Sequence, residues 1–375
     1  MTEHYDIAII GGGCSGLALA YQLAHMRSKK SVLVIESREA YCSDKTWCFW
    51  SSQPTMWTDL ATCSWSSWSF HHAKSNTLSV HKSDRWRYYH LPSIHYYRFI
   101  QDYLINIPQV RLAMGVQLTS LTGDVNQSYT LHTTQGCYQA KQVIDTRPYQ
   151  GESLLKQVFY GVEIKLPQPH SQQHVALMHD IRSDAEALRF NYILPLASDR
   201  VLFEHTLFAL DRVDQATMAQ RTYAELDRLG MHYERIERTE YGCLPMGLVA
   251  PCTSHIRGGS GAGAIRPASG YGFLRIQAWA ESLALRLLQP HALSVSEYYR
   301  DYAHAKGWQD RFDDLFLRTL RADLARSERY FHALGRYVAP DRLVRFLSDS
   351  ATSTDYAAVV YSLPKRDFLR QCIPA

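Results

Sequence analysis

The chain has 375 residues, enough for two or three closely joined domains rather than one small module. Apolar residues make up 46% and charged residues 20%, which excludes a disordered chain. Lysine and arginine number 40 against 36 aspartate and glutamate with no concentrated basic stripe, which argues against a nucleic-acid partner.

The opening Met-Thr-Glu-His-Tyr-Asp carries no basic leader and runs straight into a strand, and no apolar run approaches the roughly 18–20 residues that span a bilayer. The expectation is a cytoplasmic protein, either soluble or held at a membrane surface. Eight cysteines without any Cys-x-x-Cys pair read as reduced thiols.

Residues 5–10 form a short apolar run with the pattern of a buried parallel strand. Gly11-Gly12-Gly13-Cys14-Ser15-Gly16 follows, then a helical pattern over Leu17–Met26 and a second strand, Ser31–Ile35, ending at Glu36. The glycines match G-x-G-x-x-G: Gly11 permits the tight turn, Gly13 lets a pyrophosphate approach, and Gly16 lets helix and strand pack closely. The helix N-terminus offers N–H donors to phosphate, and Glu36 stands where it accepts from a ribose diol. The unit predicts dinucleotide binding; its place at the start of the chain favours FAD over NAD, though spacing alone leaves both open.

Residues 41–100 are aromatic-rich and predict a strand pair with loops, closing in a helix over Ser93–Leu104. Val110–Leu121 reads as one strand, with Tyr129–Leu131 leading on to a strand at 142–145 that ends in a polar turn at Asp145. Alternation over 157–166, 175–178, 189–194 and 201–208 predicts an antiparallel sheet. A helix over Gln215–Leu229 and a strand over Tyr233–Gly242 follow. Residues 258–272 hold six glycines, among them Gly261, Gly263, Gly270 and Gly272, so this backbone can lie flat against a planar ligand. In a flavoprotein that ligand is the pyrimidine edge of the isoalloxazine, facing the N-terminus of a helix over Phe273–Leu288.

From about Glu297 the chain reads as helical. The fold class is α/β: a Rossmann-type FAD-binding domain (1–75, 105–150 and 250–290), an inserted, mainly antiparallel substrate-binding sheet domain (76–104 and 151–249), and a helical C-terminal cap (291–375).

Further segments, taken in order, resemble one family. They are Lys45-Thr46-Trp47-Cys48-Phe49, Asp145-Thr146-Arg147, Phe159-Tyr160-Gly161-Val162-Glu163, Leu177-Met178-His179-Asp180 and Tyr192-Ile193-Leu194-Pro195-Leu196. Leu202-Phe203-Glu204-His205-Thr206, Gly242-Cys243-Leu244-Pro245-Met246, the glycine loop with Pro267, and Glu328-Arg329-Tyr330-Phe331 complete the set. Together with the glycine fingerprint they resemble the bacterial lycopene β-cyclases, FAD-dependent carotenoid cyclases. The chain departs from that pattern at His205, where an acid is usual, and at Arg266, where histidine is usual.

The resemblance implies closure of the ψ-ends of lycopene, or of a related acyclic carotenoid, to β-rings. It implies FAD in its reduced form, with NADPH or NADH as reductant. Such chemistry needs one carboxyl group kept protonated by apolar surroundings, electron-rich surfaces beside a carbocation, and no water. Glu204, in the apolar run Val201–Phe203, matches the family's functional glutamate and is the expected acid/base. Glu163, Asp180, Trp47, Phe49 and Tyr271 are expected in the substrate pocket, and Asp145 with the glycines at the cofactor.

No histidine pair with a carboxylate at ligand spacing points to a metal. A water-insoluble polyene must be collected from a bilayer, so the protein is expected to sit peripherally on the inner face of the cell membrane. Leu315, Leu317, Leu320 and Leu324, with Arg318, Arg321 and Arg326, fit either an interfacial amphipathic helix or a helix packed on the core. The competing activity is a flavin monooxygenase or halogenase acting on another apolar substrate.

Overall fold

The computed structural model describes residues 3–124, 127–305 and 307–372. Its first sheet is built around Glu3–Ile10, which pairs in parallel with Val32–Glu36 on one side and Gly136–Asp145 on the other. Val110–Met114 extends the parallel part, Ser128–Thr133 and Leu118–Asp124 add antiparallel strands, and Ile256–Arg257 pairs with the end of Gly136–Asp145. Strands buried on both faces need cover on both. Ile7, Ile9, Val32 and Val34 pack against the helices Cys14–His25, Ser93–Leu104 and Phe273–Leu287, while Ala8, Ile10, Leu33 and Ile35 pack with Tyr129, Leu131 and Tyr138.

The second sheet has seven strands, in the order Arg235–Met246, Leu155–Lys165, Arg200–Ala209, Ala187–Ala197, Val175–Ser183, Ser67–His72 and Thr77–Lys82. All its pairings are antiparallel except that of Val175–Ser183 with Ser67–His72. Strict alternation along Arg200–Ala209 sends Val201, Phe203 and Leu207 to a core with Met218 and Leu226 of the helix Gln215–Arg228. Leu202 and Phe208 point the other way, towards C-terminal helices that contribute Phe316, Leu320, Phe331 and Val344. A three-stranded sheet, Thr46–Ser51, Arg87–Pro92 and Cys63–Trp65, lies at one end of this layer. The α/β architecture with an inserted, mainly antiparallel sheet and helical C-terminal region is the one expected.

Details differ from the expectation. Val110–Leu121 is two strands at opposite edges of the sheet, broken where Gly115 takes φ 69°. Each half alternates, so periodicity joined them. The aromatic stretch 41–100 holds five strands rather than a pair. Ser67–His72, expected with the dinucleotide-binding part, pairs into the second sheet, and Ser93–Leu104, expected with the substrate part, packs on the first. Long-range partners decide both placements, and local pattern carries no record of them. In the helix Trp308–Ala322, Leu317 and Leu320 are wholly buried, so this amphipathic helix faces the core and not an interface.

Candidate active site

The C-terminal ends of the parallel strands converge, which is where open α/β sheets bind ligands. Ile10 leads into Gly11 (φ 96°), and a Cβ on Gly16 would stand 1.9 Å from the Gly11 carbonyl oxygen, so the third glycine is set by packing. A Cβ on Gly13 would meet nothing within 4 Å, leaving open the face that a phosphate would approach. Glu36 ends its strand buried and accepts from the Gly12 amide at 2.8 Å and from the Arg38 guanidinium. Burial pushes its pKa up, but Arg38 and the Gly12 amide outweigh it and hold the carboxyl below its ordinary value.

Asp145 is likewise held low: burial opposes ionisation, while His255 and Arg147 favour it more strongly. Its carbonyl accepts from the Gly258 amide at 2.8 Å, tying the glycine loop to the strand end. In that loop Gly263 closes a 3₁₀ turn at φ 70°, Gly261 lies against the Arg257 side chain, and Gly270 takes φ 70°.

Two helices begin here, after Gly13 and after Gly272, and neither has a side-chain cap, so their first-turn N–H groups remain free for an acceptor. In the same region Gln157 Oε1 and Ser269 Oγ are buried without a hydrogen-bond partner. Glycine loop, free helix N-termini and unpartnered polar atoms fit a dinucleotide carrying a planar, hydrogen-bonding ring.

Against Ser269–Phe273 opens a cavity of about 330 Å³ between the second sheet and the C-terminal helices. Its walls are aromatic: Trp47, Tyr88, Phe159, Tyr192 and Tyr271 from the sheets and loop, and Phe316, Phe331 and Phe346 from the helices. The hydroxyls of Tyr192, Tyr88 and Tyr271 form a chain, Tyr192 donating to Tyr88 at 3.0 Å and Tyr88 to Tyr271 at 3.2 Å. Burial pushes Tyr271 up to about 12 and Cys48 beside it to about 12, so both stay protonated. Arg266 is buried at the wall, but Asp313 takes its guanidinium in two bonds of 2.9 and 3.0 Å, so the pair adds no net charge.

Glu204 projects into this cavity, with the Thr206 hydroxyl donating to Oε1 at 2.9 Å. Burial first, and the charge of Glu240 second, push its carboxyl up to about 8; the Thr206 hydroxyl, then Lys45 and Arg238, pull the other way. At neutral pH this side chain therefore holds a proton in an aromatic-walled cavity. His205 points to the opposite face, buried, with Nδ1 2.7 Å from Asn191 Oδ1 and burial pushing its pKa down to about 4. It does not touch Glu204.

The structure brings together Glu204, Trp47, Tyr271, Gly270 and Gly272 but not the remaining expected pocket residues. Glu163 pairs with Arg238 at 3.1 Å, outside the cavity wall. Asp180, at φ 57°, pairs with Arg182 and Arg228 instead. Phe49 sits behind the wall, stacked on Phe273 at 5.2 Å. Glu163 shares the face of Glu204 and Phe49 that of Trp47, but each lies one pair further along its strand, beyond the cavity, whereas the positive φ of Asp180 turns it to its arginines. Given no role from the sequence were Glu240, Tyr88, Phe316 and Phe346, and Phe331 was marked only as part of a motif. Only Glu240 had a local signal, as a lone acid two residues before Gly242 in an alternating strand.

A family model described as "Lycopene cyclase protein" matches residues 6–372. A lycopene beta-cyclase from Pseudescherichia vulneris is 25% identical over 376 residues, 96% of this chain and 94% of that protein. A lycopene beta-cyclase from Pantoea ananas is 23% identical over 387 residues, 97% and 96% respectively. Among solved structures, a geranylgeranyl bacteriochlorophyll reductase-like protein from Thermoplasma acidophilum aligns with TM-score 0.71 at 11% identity, over 99% of this chain and 100% of that one. A probable FAD-dependent monooxygenase from Pseudomonas aeruginosa aligns with TM-score 0.61 at 14% identity, over 88% and 99%. These two show the fold alone. By the match along nearly its whole length, the chain belongs to the lycopene cyclase family of carotenoid-cyclising enzymes.

Proposed function

We propose that this enzyme closes the ψ-ends of lycopene, or of a related acyclic carotenoid, to β-rings with no net oxidation or reduction. The observation that carries the reading is Glu204: one proton-bearing carboxyl in an aromatic-walled cavity beside a glycine-rich loop. Glu204 gives its proton to the terminal double bond and becomes a carboxylate. The resulting tertiary cation is attacked by the neighbouring double bond of the same chain, and the ring then loses a proton to Glu204, restoring the acid. The electron-rich faces of Trp47, Tyr88, Tyr192 and Tyr271 stabilise the cation without competing as bases, because the indole is not basic and the three tyrosine hydroxyls stay protonated. Ligand clefts span roughly 300–1,000 Å³, so a cavity of about 330 Å³ suits one end group, with the polyene extending from its mouth.

Gly11, Gly13, Gly16, Glu36 and Asp145 would hold the nucleotide of FAD, and the loop with Gly261, Gly263, Gly270 and Gly272 its ring. Reduced FAD, replenished by NADPH or NADH, would supply an electron-rich, anionic surface when bound there. Collection of the substrate from the inner face of the cell membrane is supported by the last helices. There Val360, Tyr361 and Leu369 are exposed, Val359 lines the cavity, and Lys365 lies 4.5 Å from the Tyr361 ring centre. No helix among the described residues is long and apolar enough to cross a membrane.

The test is anaerobic incubation of flavin-loaded protein with reductant and lycopene in liposomes. A cyclic product of unchanged mass is expected. A product carrying added oxygen, or turnover only in air, would overturn the reading in favour of the monooxygenase chemistry of similarly folded enzymes.

A further inference from the structure

The strand Leu155–Lys165 lies between Arg200–Ala209 and Arg235–Met246, and Gly161 is register partner to Glu204 on one side and to Glu240 on the other. Residues directly opposite in antiparallel pairs share a face. The two glutamates therefore project from the same face, two strands apart, with no side chain between them. A Cβ on Gly161 would stand 3.0 Å from Glu240 Cγ and 3.2 Å from its Oε1, so glycine is what leaves room for Glu240 to lie over the strand. Glu240 is 4% exposed, and its two oxygens differ. Oε2 accepts from Arg238 at 2.9 Å, whereas Oε1 is buried with no hydrogen-bond partner. Arg238 in turn bonds Glu163 and the Thr46 hydroxyl, which fixes it in place.

We propose that Glu240 is a positioning residue for the reacting acid: anchored by Arg238 and facing Glu204 across the gap at Gly161, it keeps the proton on Glu204 by its charge and draws it back after ring closure. This rests on the cyclase reading of the same cavity. Glu240 is not on the cavity wall, so it acts through Glu204 and does not touch substrate. When Glu204 has given up its proton, two carboxylates face each other, and this repulsion drives the uptake that completes the cycle. The groups opposing that repulsion are Lys45, at the start of the strand Thr46–Ser51, and Arg238, on the strand of Glu240 itself. Cys48, Tyr88 and Tyr192, the other titratable groups packed there, stay neutral because burial holds each well above neutrality.

The experiment is an isotope-edited infrared pH titration of the flavin-loaded protein labelled at glutamate, without substrate. The protonated-carboxyl band lost in E204Q is assigned to Glu204. In E240Q, which keeps the side-chain shape, its midpoint is expected to fall by one pH unit or more, a tenfold or greater loss of proton affinity. The alkaline limb of kcat/KM with lycopene liposomes should move down with it. Gly161→Ala, which displaces Glu240 while keeping both carboxyls, should also move the midpoint.

An unchanged midpoint in both variants overturns the proposal, even where activity falls, since a merely structural role lowers rate without moving the titration. If the midpoint moves as expected while the parental protein cyclises nothing, the coupling stands and the cyclase reading fails, so the two failures are distinguishable.

Discussion

Glu204→Gln offers a test of the buried acid that needs no substrate. The folded carboxyl sits at about 8 against an ordinary value of 4.5. Because the folded value is the higher one, the folded protein keeps a proton that the unfolded chain has released anywhere between those limits. The resulting stability is fully present below the unfolded value and is lost as pH rises towards the folded one. The slope is about 1.4 kcal/mol per pH unit for one proton. Glutamine cannot ionise, so between pH 5.5 and 7.5 the parental protein should lose about 2–3 kcal/mol relative to E204Q. Water reaching the carboxyl through the cavity mouth would narrow this window without changing the slope inside it.

The assay is urea denaturation of both proteins at a series of pH values, at one fixed excess of flavin. All other titrating groups are common to the pair, so the difference isolates Glu204 together with its coupling to Glu240. Curves that stay parallel across this range would show Glu204 already ionised in the folded protein, and the acid assignment would fall.

Other expectations follow from single contacts. Gly13→Ala should fold normally, since its Cβ meets nothing, yet lose at least about tenfold in flavin affinity if the cofactor approaches there; Gly16→Ala should instead lose stability by about 1–3 kcal/mol or more, because its Cβ would meet the Gly11 carbonyl. Bound-flavin absorbance and thermal melting separate the two effects. Asp313→Asn should destabilise by about 3 kcal/mol, read by denaturant unfolding, because it leaves the buried Arg266 guanidinium with only the more distant Asp349, at 3.8 Å, as counter-charge. Replacing Tyr361 and Leu369 together by serine should reduce co-sedimentation with anionic liposomes by about tenfold or more, leaving the melting temperature unchanged, since both side chains are exposed.

Much of the dinucleotide-binding half is legible in one dimension because its signals are local. Gly11, Gly13 and Gly16 lie within six consecutive residues, Glu36 ends the next strand, and the helix between them repeats at 3.6 residues. Backbone geometry at a tight turn selects glycine wherever the rest of the chain goes. Glu204 was legible for a different reason: an acid among Val201, Leu202 and Phe203 is conspicuous, and the resemblance gave it a role.

The surroundings of Glu204 belong to tertiary structure alone. Alternation shows that Glu204 shares a face with Leu202 and Thr206, but not that this face is covered by helices more than a hundred residues later. Nor does it show that a glycine separates Glu204 from Glu240, thirty-six positions on. Strand register decides which carboxyls meet, setting Glu163 against an arginine and Glu240 against Glu204. A slip of one residue would reverse every one of those faces. Short-range sterics wrote the loops and turns into the sequence, whereas the acid's proton affinity arises from desolvation and charge between strands that only the folded sheet brings together.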